Sequence, residues 1–149
     1  MRRLALLVCL LAVPALGACG GNDQEDAQRA AEQYVTRLGE RDGAGTCEHM
    51  TSDLRRQFTQ AVAAQQPQFS GRGCARIMQT ALDAIPPAQL RLFADAEIRE
   101  MQLDGDRGTF RYTLGPSQEI PDEINVDGRV AKEDGDWKVS CCVPGQTGG

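Results

Sequence analysis

The hydrophobic period of this chain changes once, near Ala94, and that change limits what it can fold into. Before it, apolar residues recur every three or four positions, as one face of a helix requires. Ala27, Ala30, Ala31, Tyr34, Val35 and Leu38 predict a first helix, with Asp23, Glu25 and Asp26 at its positive end and Gly39 past its last turn. Leu54, Phe58, Ala61 and Val62 predict a second over Ser52 to Ala64. Cys74, Ile77, Met78, Ala81, Leu82 and Ile85 predict a third, stopped by Pro86-Pro87. After Ala94 the period shortens to two. Strands are expected over 97–103, 109–114, 129–133 and 137–143, with Asp104-Gly105 and Asp134-Gly135 as hairpin turns. Asp127-Gly128 reads as a third turn, between a short Ile124-Asn125-Val126 run and Arg129. Helices first and hairpins afterwards predict an α+β domain, three N-terminal helices packed on one face of an antiparallel sheet.

The N-terminus is read separately from the fold. Met1-Arg2-Arg3 is basic, Leu4 to Leu16 is apolar apart from Pro14, and Leu16-Gly17-Ala18-Cys19 follows. That is the layout of a secretory leader, too short for a spanning helix, which needs roughly 20 apolar residues. Leu-Gly-Ala-Cys resembles the lipobox of bacterial lipoproteins. The resemblance implies cleavage of residues 1–18, lipidation of Cys19 with diacylglycerol and a further acyl chain such as palmitate, and a place on the extracytoplasmic side of the cell membrane. Residues 19–26 then read as a lipidated polar tether, 27–143 as the domain and 144–149 as a flexible tail. Without the leader, 14 basic residues face 21 acidic ones. An acidic chain argues against nucleic acid as a partner, because neutralising phosphates dominates that affinity.

Of six cysteines, Cys9 leaves with the leader and Cys19 takes the lipid. Cys47, Cys74, Cys141 and Cys142 remain, an even set expected to pair in an exported protein. No C-x-x-C or His/Cys spacing suits zinc, so no metal or cofactor is expected. A hairpin of helices brings Cys47, just before the second helix, beside Cys74, which opens the third. This favours a 47–74 disulfide, with Cys141 as a buried thiol beside Trp137. A strained vicinal 141–142 bridge is the runner-up.

Three helices followed by a curved sheet ending in Asp134-Gly135-Asp136-Trp137-Lys138-Val139 resemble small lipoproteins of the nuclear transport factor 2-like, cone-shaped superfamily. The leader, the first helix and the Gly-Asp-type loop before Cys47 carry the rest of the likeness. The resemblance implies a pocket between sheet and helices, and a sheet face through which such domains form homodimers. The superfamily holds isomerases and dehydratases as well as non-catalytic binding modules, so fold alone does not choose among them.

Few residues carry chemistry. Tyr34, Tyr112, Trp137 and His49 are the candidate pocket residues, with Asp53 and Asp42 as the nearby acids. His49, the only histidine, has no nameable acid–base partner. Tyr34 and Tyr112 fall on apolar stripes and read as core or pocket wall, and Asp53 suits the first turn of a helix. The two Asp-Gly-Asp turns lack the full calcium-loop signature. The glycines of 43–45 and 71–73 read as linkers, and Arg55-Arg56 as a solvated helix face. No catalytic residue is assigned. The reading is a membrane-anchored lipoprotein that binds a small apolar ligand or an envelope protein without catalysis. The alternative is an isomerase- or dehydratase-type enzyme using pocket Tyr, His and Asp groups.

Overall fold

The structure, a computed structural model, describes residues 21–116 and 122–141. Helices α1 (Gly21–Gly39), α2 (Gly43–Glu48), α3 (Ser52–Gln65), α4 (Cys74–Asp83) and α5 (Pro87–Ala94) precede strands β1 (Glu97–Asp104), β2 (Arg107–Leu114), β3 (Ile124–Glu133) and β4 (Asp136–Cys141). The strands form one antiparallel meander in the order β1-β2-β3-β4. This is the α+β arrangement expected from the change of period. Cys19, Cys142 and the tail 144–149 lie outside the described residues.

The inner face of the sheet presents Phe110, Tyr112, Leu114, Val130, Trp137 and Val139, all buried. Alternation along each strand puts them on one side. Helix α1 lies against this face with the stripe read from sequence: Ala27, Ala30, Ala31, Tyr34, Val35 and Leu38 are buried. Helix α3 adds Leu54 and Phe58, and α4 adds Ile77, Met78 and Leu82. The free edge of β4 is closed by the segment between α2 and α3. Val139 N–H donates to the His49 carbonyl at 2.8 Å and Thr51 N–H donates to the Val139 carbonyl at 2.9 Å, so Met50 bridges Val139 in parallel.

Both hairpins form, the first one residue later than expected: Asp104 still pairs with Arg107, so its turn is Gly105-Asp106. Asp134 (φ 54°) and Gly135 (φ 91°) are left-handed, as a two-residue turn that follows strand twist requires. Asp127-Gly128 is not a turn. β3 runs unbroken through it, and Gly128 pairs with Phe110 across the ladder. The glycine is there for space. A β-carbon at Gly128 would lie 2.6 Å from Phe110 Cε1, so the ring covers the bare backbone.

Other expectations need correction. Helix α1 starts at Gly21, so residues 21–26 are helical rather than an extended polar tether, and they reach about 1.5 Å per residue. Of the loop read over 40–45 before Cys47, residues 40–42 stay non-helical and the rest belongs to helix α2. Asp42 caps it, its carboxylate accepting from Gly45 N–H at 2.8 Å. Gly43 is not a linker residue: its β-carbon would sit 2.5 Å from Gln79 N, so a bare backbone is what lets α2 press against α4. The third predicted helix ends at Asp83, before Ile85, and α5 starts on Pro87, whose fixed φ suits a first turn. Cys47 and Cys74 are bonded as expected, with Cα atoms 6.2 Å apart. Cys141 is not a thiol: it is half-buried and disulfide-bonded as well.

Candidate functional site

The four candidate pocket residues separate into two places. Tyr34 comes from α1 and Tyr112 from β2, and they meet inside the core. His49 and Trp137 come from the end of α2 and from β4, and they line a surface cleft.

The tyrosine pair is sealed. Each residue is 1% exposed, and neither hydroxyl has a hydrogen-bond partner among the described residues. The Tyr112 ring stacks on Phe110 with centroids 6.1 Å apart. Burial pushes the Tyr112 phenol up to about 12, and burial together with the neighbouring Tyr112 pushes Tyr34 higher still. Both therefore stay protonated donors. Among the described residues the other buried polar side chains are Thr46, Thr51 and Thr113, and none is a carboxylate. An acid beside a tyrosine, which proton-transfer chemistry in such a pocket would use, is missing from the described core. Asp53 is exposed at the first turn of α3, where it pairs with Arg56. Asp42 is spent on capping α2 and on an ion pair with Arg37 at 3.3 Å.

The phenols carry a prediction. Burying an O–H without a partner costs about 1–3 kcal/mol. Tyr34→Phe and Tyr112→Phe should therefore leave the unliganded domain as stable as wild type or more so in thermal unfolding. A loss above about 1 kcal/mol in either variant would mean that the hydroxyl has an acceptor in solution.

The cleft lies beneath the first half of α1 and has a volume of about 410 Å³. Asp26, Glu48, His49, Asp136, Trp137 and Lys138 are among its lining residues. Burial and the positive charge of Arg37 hold His49 below the usual histidine range, against a smaller upward pull from Glu48. The imidazole is neutral at neutral pH, so it could accept a proton. Among the described residues no hydrogen bond orients the ring, and Asp26 is paired with Arg29 at 2.9 Å. A base without an orienting partner does not make a catalytic dyad. The same shift sets a pH dependence. The unfolded chain takes the proton first as pH falls, because its histidine titrates near 6.5. His49 therefore contributes its full stability above about pH 6.5 and loses it as acid carries the pH through that value toward the folded one. His49→Gln should flatten the decline in melting temperature below about pH 6.5. An unchanged slope would assign the decline to other groups.

One polar lock had no local sequence signal. Asp23 accepts from Lys132 Nζ at 2.7 Å and from Trp137 Nε1 at 3.3 Å, and Lys132 Nζ lies 5.8 Å from the indole centroid. The lock ties the start of α1 to β3 and β4. Lys132 and Trp137, aided by the positive charge, hold the Asp23 carboxyl below its ordinary range. A stretch read as a tether thus covers one side of Trp137.

No family model and no curated protein matches the chain. Among solved structures it is similar to one described as an NTF2-like transpeptidase from Campylobacter jejuni. The two are 15% identical, the match covers 76% of this chain and 96% of that chain, and the TM-score is 0.44.

Proposed function

We propose that the protein is an extracytoplasmic lipoprotein, held at the cell membrane through lipid on Cys19, whose cone-shaped domain binds an envelope protein without catalysis. The observation that carries the non-catalytic part is the separation of reactive groups. The phenols are locked in the core away from any described carboxylate, and His49 stands in a surface cleft where none of the described residues orients it. The anchoring rests on Leu16-Gly17-Ala18-Cys19 after a basic and apolar leader. Among the described residues no helix is long and apolar enough to cross a membrane.

Two acyl chains give stable anchoring where one does not. Cys19→Ala should move the protein from the membrane fraction or leave it unprocessed, with the mass of the lipid missing. Identical fractionation and mass would remove the anchor from the reading. For the binding role, photo-cross-linkers placed at Gln102 and at Glu48 in cells should each be tested for a discrete adduct. A defined envelope protein at either position is the expected result. The second reading is a small apolar ligand carrying one hydrogen-bond acceptor, which would have to open the sealed core to reach the orphan hydroxyls of Tyr34 and Tyr112. Empty cross-linking lanes together with a small molecule retained in native mass spectrometry would replace the first reading by the second.

A further inference from the structure

The face of the sheet turned away from α1 carries a trough of about 590 Å³, walled on one side by the start of α3. Its floor is low because the residues there are short: Thr109 on β2, Ala131 on β3 and Ser140 on β4. Its rim is long and polar, with Gln102, Arg107 and Arg129. Strand register places these groups. Arg129 is directly opposite Thr109, and Thr109 is opposite Gln102, so the three form a row across β3, β2 and β1. Arg107 is opposite Ala131, two residues along from Arg129, which makes Arg107 and Arg129 a diagonal pair on one face.

The charges of the trough are unevenly satisfied. Asp53 pairs with Arg56, Lys132 with Asp23, and Glu133 with Lys138. Among the described residues no carboxylate binds Arg107 or Arg129. Asp104 stands opposite Arg107 in the hairpin register, yet the two form no ion pair. Elsewhere on this face the arginines are engaged, Arg111 by both Glu100 and Asp127 at 2.8 Å and Arg99 by Glu97 at 2.7 Å. Two arginines at diagonal register positions, neither in an ion pair with a described residue, over a floor of short hydroxyl and methyl side chains, leave room for carboxylates from another molecule. Arginine suits that task because its planar fork meets a carboxylate with two parallel hydrogen bonds.

We infer that this trough binds an extended acidic peptide segment bearing carboxylates at alternate positions, one on Arg107 and one on Arg129. Diagonal cross-strand neighbours lie about 7–8 Å apart. In an extended chain, side chains two residues apart point the same way and are separated by about 7 Å. The spacings match, whereas adjacent acidic residues would point to opposite sides. Gln102 and Thr109 continue the row and supply hydrogen-bonding groups to the rest of the segment.

This inference deepens the binding-module reading and rests on it; a partner cross-linked away from the trough would keep that reading and remove this one. The test uses the full chain and three capped, labelled pentapeptides followed by fluorescence anisotropy: Thr-Glu-Thr-Glu-Thr, Thr-Glu-Glu-Thr-Thr and Thr-Gln-Thr-Gln-Thr. The alternating acidic peptide should bind about tenfold more tightly than the adjacent one, and the glutamine peptide should not saturate. Arg107→Gln and Arg129→Gln should each weaken it about tenfold with an unchanged circular dichroism spectrum, while Arg72→Gln, in the α3–α4 connection, should not. Equal binding of the three peptides, or indifference to both substitutions, overturns the inference. So does sedimentation showing that the trough pairs two copies of the chain and that Arg129→Gln separates them.

Discussion

Replacing Cys47 and Cys74 together by alanine lowers the stability of the domain by about 3–4 kcal/mol. The bond closes a loop across 27 residues, so its loss frees a large set of unfolded conformations. The native side also depends on it. Helix α2 has six residues, too few to hold a helix alone, and it is kept by the Asp42 cap, by contact with α4 and by the disulfide. Gly43 N–H also donates to the side-chain oxygen of Gln79 in α4 at 3.1 Å. Urea unfolding checks the value, with a lower midpoint and a larger slope because the unfolded chain expands. Substitution is preferable to reductant, since Cys141 is disulfide-bonded too and would be reduced at once. A change below about 1 kcal/mol would mean that the unfolded chain is already compact around this loop.

Gly128→Val is expected to cost about 1–3 kcal/mol, although valine is a far better strand residue than glycine. The φ of Gly128 is not among the positive ones, so no backbone strain enters. The cost is steric. A β-carbon there would lie 2.6 Å and 2.8 Å from the two ε-carbons of Phe110, and that ring is buried with no exit. Shrinking the ring should repair the clash. Phe110→Leu combined with Gly128→Val should lose less than the sum of the single variants, a coupling that chemical denaturation of the four proteins reads directly. Additive losses, or a stabilised Gly128→Val, would mean that the Phe110 ring is not what requires the missing side chain at Gly128.

The two Asp-Gly pairs at 127–128 and 134–135 show where local signals stop being sufficient. At Asp134-Gly135 the dipeptide marks a turn, since both residues take the left-handed backbone that asparagine, aspartate and glycine tolerate. At Asp127-Gly128 the same two letters sit in mid-strand, because an aromatic ring from the next strand needs the missing side chain. Gly43 repeats the lesson among helices. Its neighbours Ala44 and Gly45 suggested a linker, while the packed chain uses the bare backbone for close approach to Gln79.

What the sequence by itself determined about this protein is its periodic content. The helical stripe of α1 and the core faces of α3 and α4 follow from spacing, because residues three or four apart on a helix share a face. The two outer hairpins follow from Asp-Gly turn residues, and the favoured Cys47–Cys74 pairing from the order of the helices. Tertiary structure alone decided the contacts between distant segments. Asp23 meets Lys132 and Trp137 across more than a hundred residues. His49 is parted from the tyrosines, and Arg107 and Arg129 come together on the outer face through strand register. Such contacts depend on which elements pack and in what alignment. That alignment is set by the fit of whole faces rather than by the residues that finally touch.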